Sequence, residues 1–247
     1  DGVGGSLTMS GSGSLTLSGT NTFTGGATVS SGTVRVGSNS AFGTGTLTLG
    51  GGTVSSDSTS ARTLGNAYVL GSGTSTLGDG TNNGALTFSG SGNVAGASTV
   101  NALSSVTLGG ALDLQGNTLT VSPSSGAVFT MGGVVSGVGG GIVKNGLGTL
   151  TLSVANAYSG GTTVTAGTVR VGHDQGLGTA ALTMTGGAVS SASTAVRSLA
   201  NNFFLGGSVT LGDGTNTGAL TLSGTGTLTA NATVTTPSAV TLSGGIG

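Results

Sequence analysis

"GSGSLTLSGTNTFTGGATVSSGTVRVG" at residues 11–37 returns as "GLGTLTLSVANAYSGGTTVTAGTVRVG" at residues 146–172. Leu15-Thr16-Leu17 matches Leu150-Thr151-Leu152. The register holds from Gly2, matched by Gly137, to Leu70, matched by Leu205. One residue then drops out, and "TLGDGTNNGALTFSG" (76–90) recurs as "TLGDGTNTGALTLSG" (210–224). A chain that repeats at this scale, and again at smaller scales inside each copy, builds by stacking similar units. It predicts a long scaffold in preference to a single reaction vessel.

Inside each copy the pattern has period two, as in Val34-Arg35-Val36, Leu47-Thr48-Leu49, Leu86-Thr87-Phe88, Leu119-Thr120-Val121 and Leu220-Thr221-Leu222. Successive strand residues point to opposite faces, so Leu and Val go inward while Thr, Ser and Arg go outward. These triplets recur every ~7–10 residues between Gly, Ser, Asn and Asp, the turn formers. No stretch has helical spacing. The chain reads as all-β, and three architectures compete: a sandwich or barrel, a propeller, and a β-helix. The first calls for bulkier inward residues and the second for longer, aromatic-marked blades. A β-solenoid of roughly 10–12 coils, each with about three short strands, fits best. At ~4.8 Å per coil it would be a rod of ~50–60 Å.

The whole of 1–247 is expected to be one continuous solenoid with internal copies 1–135 and 136–247. After Val106-Thr107-Leu108 the first copy runs on through 109–135, whereas only 243–247 come after Val240-Thr241-Leu242. The second copy is thus shorter by about one coil. The tail "VTLSGGIG" and the head "DGVGGSLTMSGSGSLTLSG" read as one repeat when joined. The chain is therefore expected to be one period of a longer fibre, extended covalently or by head-to-tail stacking.

Composition agrees. Glycine supplies 54 residues and proline 2, with no tryptophan and 3% aromatics, so thin layers of Leu, Val, Ala and Thr must fill the interior. Five Lys and Arg face six Asp, a net charge of −1. That provides no basic footprint for nucleic acid and no polybasic face for membranes. Nor does any apolar run approach the ~20 residues needed to span a bilayer. The low charge leaves little self-repulsion, which favours association of copies. There is no cysteine, hence no disulfide, thiolate site or cysteine nucleophile.

The two stretches at 11–37 and 146–172, with their Asn-x-aromatic-x-Gly-Gly element, resemble the autotransporter-associated β-strand repeat of bacterial passenger proteins. The segments 62–90 and 197–224 are similar to the segment that succeeds this repeat in such arrays. The resemblance implies an extracellular right-handed β-helix exported with a C-terminal barrel. It brings no catalytic residues.

Candidate chemistry is sparse. Paired-carboxylate catalysis needs two groups within ~5–9.5 Å. Asp79 and Asp213 occupy equivalent places about six coils apart, roughly 25–30 Å at strand spacing. Asp57, Asp113 and Asp174 share no motif, and His173, the only histidine, abuts Asp174 on an extended chain. "LGDGTNNG" (77–84) and "LGDGTNTG" (211–218) gather Asp, Asn and carbonyls, which makes Asp79 and Asp213 the candidates for a calcium ligand, with one carboxylate per site. Arg35 and Arg170 read as solubilising residues on flat strands, or else as a ligand face. Phe23 and Tyr158, before Gly-Gly pairs, read as packing caps. Thr46-x-Thr48, Thr118-x-Thr120 and Thr149-x-Thr151 would form outward threonine rows.

The reading is a structural stalk or fibre at the bacterial surface, extracellular, self-associating and adhesive, with no catalysis, cofactor or metal. Its expected partners are further copies of itself, head to tail or bundled laterally, and host-surface or matrix glycans. The alternatives are a β-helical carbohydrate-active lyase or hydrolase and, third, an ice-binding surface.

Overall fold

A strand whose two faces differ in polarity must cover its apolar side, and very short strands can do so only by folding onto like strands. The computed structural model describes residues 4–247, and among them there are 28 strands and no helix. Every pairing is parallel, each strand lying in register on the next turn of the same coil. Neighbouring rungs are one coil of chain apart, from Ser14↔Thr33 where the coil is short to Ser98↔Gly73 where it is long. The result is a three-faced β-solenoid of about 11 turns. The Asp1-Gly-Val head of the joined-ends reading lies outside the described residues.

On the first face Leu7, Ala27, Leu47, Tyr68, Gly92, Leu112 and Val135 stand one above another. On the second, the strand Ser14–Leu17 begins a stack that continues through Thr33–Val36, Thr53–Ser56, Gly73–Leu77, Ser98–Ala102, Thr118–Pro123 and Gly141–Lys144. On the third, Arg62–Leu64, Leu86–Phe88, Val106–Leu108, Val128–Met131, Thr149–Leu152 and Thr168–Val171 come in order.

The two copies are not superposed along the axis. Six steps up the first face lead from Leu7 to Val135. The residue equivalent to Leu7 is Ile142, which belongs to the second face, above Leu119. Likewise Leu15 is on the second face and its equivalent Leu150 on the third. One copy therefore takes about six and one-third turns, and each feature of the first copy reappears about 120° round the rod and about 30 Å along it.

The residue that drops out between copies lies at a corner. In copy one Tyr68–Leu70 and Gly73–Leu77 are separate strands on adjacent faces. In copy two the shorter corner leaves one continuous strand, Phe203–Leu211, with a register shift between Leu205 and Gly207.

The interior is the expected one. Val34, Leu49, Leu86, Leu108, Leu152, Val169, Leu182 and Leu220 are all buried, and Thr48 and Arg35 face outward. Leu17, also placed inward, is half-buried because it lies in the first turn described. Tyr68 and Phe88 meet inside the core with ring centroids 5.4 Å apart. The apolar ladder Leu64–Phe88–Leu108–Met131–Leu152–Val171 runs without a break, whereas on the second face the ladder passes from Val121 through the buried Lys144 to Val164. Leu150→Ala should cost roughly 2–5 kcal/mol, whereas Thr151→Ala on the outer side of the same strand should change stability by less than about 0.5 kcal/mol. Urea midpoints of the two variants check this, and the opposite ranking would reverse the register.

Candidate functional site

The charged residues form clips. Asp79 comes just after the strand Gly73–Leu77, and its Oδ1 accepts the backbone N–H groups of Thr81 and Asn82, closing the turn. Its Oδ2 accepts Nε and Nη2 of Arg35, each at 3.3 Å, and the Ser55 hydroxyl at 3.1 Å. Arg35, Ser55 and Asp79 lie on three successive turns, so the ion pair ties a turn to the next but one. Copy two repeats the arrangement: Arg170 reaches Asp213 Oδ2 at 3.0 and 3.2 Å, while Oδ1 takes Thr215 N and Asn216 N. Partial burial of the two carboxylates opposes ionisation. The backbone N–H bonds and the arginine outweigh it and hold both pKa values at about 2. With both oxygens engaged and a guanidinium alongside, these carboxylates act as ion-pair staples between turns.

The sequence showed these arginines and aspartates but not their partnership. The signal was the separation, 44 residues for Arg35 and Asp79 and 43 for Arg170 and Asp213, differing only by the dropped residue. A second pair of clips changes partner between copies. Arg62 donates to Asp57 at 2.7 Å, while Arg197, its equivalent, lies 3.9 Å from Asp174. Ala192 stands where copy one has Asp57, and Asn39 stands where copy two has Asp174. Asn39 Oδ1 and Asp174 Oδ1 both accept the backbone N–H one turn above, from Thr63 and Ser198. Asp113 caps its own turn through Gln115 N, and His173 Nδ1 accepts Gln175 N on the surface. None of the five described aspartates pairs with another in a shared hydrogen-bonded site.

Lys144 was not singled out by sequence, yet it is fully buried. Its Nζ donates to the carbonyls of Asn145, Gly146 and Ala166 at 2.8–3.0 Å, filling a position that Met9 occupies in copy one. Burial pushes its pKa down to about 8.

The asparagine of the Asn-x-aromatic-x-Gly-Gly element, Asn21 or Asn156, is the lower jaw of a clamp. Asn156 Nδ2 donates upward to Gly176 O, and Asn201 Nδ2 donates downward to Gly178 O and Ala180 O, holding the loop 173–180 between them. In copy one Asn21 and Asn66 grip the loop 38–45 in the same way. The loops plug the core with Phe42 and Leu177, both fully buried. Tyr158 is buried and bonded to Thr162 Oγ1 at 2.6 Å, as a packing residue should be, while Phe23 near the first turn is half-buried. A Cβ on Gly160 would sit 2.5 Å from Gly139 O, and Gly161 has φ of +86°, so neither position accepts a larger residue without strain.

Beside each clamped loop the surface is hollowed. A cleft of about 420 Å³ lies among Asn156, Asp174, Gln175, Thr179 and Asn201, and one of about 260 Å³ among Asn39, Ser40, Thr44, Gly65 and Asn66. The copy-two counterparts of Asn39, Ser40, Thr44 and Asn66 are Asp174, Gln175, Thr179 and Asn201, so the two clefts are one feature repeated. The threonine rows, in turn, do not share one surface: Thr48 is on the first face, Thr120 on the second and Thr151 on the third. The third face does carry an aligned column, Thr63–Thr87–Thr107–Thr130–Thr151, ended by Arg170.

The model of the passenger-associated-transport-repeat matches residues 7–36 and 142–171, which include Asn21 and Asn156, the lower clamp asparagine of each copy. The chain is also similar to the adhesin BmaC autotransporter of Brucella suis biovar 1 (strain 1330), 34% identical over 142 residues. That match covers 55% of this chain, which spans 4% of the relative's length. No solved structure matches. The chain thus carries passenger-type repeats.

The clips and the buried lysine make stability depend on pH in opposite directions. Asp79 and Asp213 titrate lower in the folded chain than in the unfolded one, so their contribution is complete above about pH 4 and is lost as pH falls towards 2. Asp79→Asn should cost about 1–2 kcal/mol at pH 7 and flatten part of that acid loss in urea titrations. Lys144 has the opposite sign: the unfolded chain holds the proton more tightly, so stability should rise between about pH 8 and 10. Lys144→Met, the residue copy one already uses, should abolish that rise. An unchanged slope in the variant would place its cause elsewhere.

Proposed function

We infer that this chain is a length of extracellular stalk from a bacterial surface protein, adhesive and without catalysis. One observation carries the reading: passenger-type repeats occupy equivalent parts of a single unbroken solenoid. The similarity to a protein named as an autotransporter adhesin supports placing it at the cell surface, with adhesion as its task. The physics supports a mechanical role. Each turn bonds its backbone to the turns on either side, so the rod resists bending and local loss of one turn. The clips add side-chain ties that skip a turn.

Self-association and glycan contact are part of the same proposal. The outer surface is nearly uncharged and rich in hydroxyls, so contact with neighbours meets little repulsion. Strands such as Leu7–Met9 and Val240–Leu242 pair on one edge only among the described residues, and an unpaired strand edge is a template for a strand of a second copy.

The chain displayed on a non-adherent bacterium should bring that bacterium to host cells or matrix, and electron micrographs of the native material should show filaments far longer than ~60 Å with a spacing near ~4.8 Å along the axis. Display without any gain in attachment would end the adhesive reading. Discrete rods of single-chain length would end the fibre reading. Turnover of a polysaccharide by the purified chain, lost in Asp79→Asn, would revive the lyase or hydrolase alternative.

A further inference from the structure

The two clefts recur because the clamp recurs, but their linings differ, and what stays constant is chemical. In both, an asparagine of the upper wall has its amide nitrogen committed: Asn66 Nδ2 to the carbonyls of Phe42, Gly43 and Gly45, and Asn201 Nδ2 to Gly178 and Ala180. These bonds fix the side chain and leave Oδ1 with no donor from any described residue. A second oxygen stands at the equivalent place in each cleft, on Asn39 in one and on Asp174 in the other. Each accepts a backbone N–H and keeps further lone-pair capacity. The Asp174 charge is offset by Arg197 at 3.9 Å, so neither cleft carries net charge. Ser40 and Gln175 add an adaptable hydroxyl and amide at the rim.

A rigid, acceptor-rich, neutral hollow calls for a neutral ligand rich in donors. Cations gain little from a site without net charge, and anions would meet no unpaired cationic group in either lining. Hydroxyl groups on a sugar ring fit both requirements. We propose that the two clefts are saccharide-binding sites, in which Asn66 Oδ1 and Asn201 Oδ1 accept hydroxyls of a neutral glycan. The proposal rests on the adhesive reading above and names the ligand class through which adhesion would act. The one-third turn has a consequence here. The clefts lie on different sides of the rod, about 120° and about 30 Å apart, so a flat surface meets them one at a time. A flexible polysaccharide, or a mesh surrounding the rod, can engage both, and each additional engagement raises avidity without new contacts.

The test is titration of the isotope-labelled chain with neutral trisaccharides of glucose, galactose and N-acetylglucosamine, monitored by amide NMR. At least one sugar should shift the side-chain amides of both Asn66 and Asn201, saturating in the millimolar range with two sites per chain. Gly65 has open space around a built Cβ, and Ala200 is its counterpart in copy two. Gly65→Phe should therefore fill the first cleft and halve the stoichiometry, and adding Ala200→Phe should remove binding. Gly65→Ala serves as the control and should bind as before. Should the bulky variants fail to fold, the paired amide shifts in the unaltered chain decide alone. No shift at either cleft with any sugar, or shifts that survive in a folded double variant, would overturn the proposal. A double variant that loses sugar but still attaches bacteria to cells would overturn the claim that adhesion acts through these clefts and leave adhesion itself standing. A chain that binds sugar but confers no attachment would do the reverse.

Discussion

Everything in this structure depends on parallel backbone pairing between successive turns in strict register. Such pairing sets every residue about 4.8 Å from its counterpart above and below. Like charges at that distance repel and bulky residues on opposite faces collide in a narrow interior. Uncharged, small and β-branched residues are what survives. The 4% content of charged residues is thus a consequence of stacking, and so is the placement of those that remain. Arg35 stacks between Thr16 and Ser55, and its acid is two turns away, where the turn after Gly73–Leu77 brings Asp79 back over the face. The arginines of copy two obey the same rule, with Thr151 below Arg170 and Ser190 above it.

That constraint also decided what could be read from sequence. The inward and outward assignment of residues such as Val34, Leu49 and Leu182 comes from period two alone, and strand length and turn residues give the coil. The partner of Arg35 could not be read that way. An in-register stack relates residues one coil apart, while the clip spans two coils through a turn whose path depends on backbone geometry. Lys144 was equally opaque. Its position is an ordinary inward one, but the corner beside Gly146 and Ala166 turns three carbonyls toward the interior, and these satisfy an ammonium that composition would send to the surface. Asn21 and Asn156 were visible in a motif, and only the structure shows that Asn66 and Asn201 hold the same loops from the other side.

The fractional turn in the repeat has physical meaning. A repeat of a whole number of turns would set each clip and cleft in line on one face. With about six and one-third turns, the junction instead stacks non-equivalent residues: Ile142, the counterpart of a first-face residue, rests on second-face Leu119, and Leu150 on Phe129. Such a junction is tolerable only if the faces are interchangeable where they meet, each with an outward Thr between inward apolar residues, as at Thr120 and Thr130 below the junction. The column Thr107–Thr130–Thr151 crosses the junction without interruption even though Thr130 and Thr151 come from different copies.

Interchangeable faces favour some functions over others. A long groove, lined by acids contributed from many turns of one face, is broken whenever a copy ends and its successor starts one face round. A site confined to three turns, such as a clamped loop with the asparagines on either side of it, is carried intact into every copy and simply points elsewhere. Point sites of that kind gain from being distributed around a rod, since no orientation of the rod hides them all. The geometry of repetition thus accords with a scaffold bearing scattered, self-contained sites, and it works against an extended catalytic furrow.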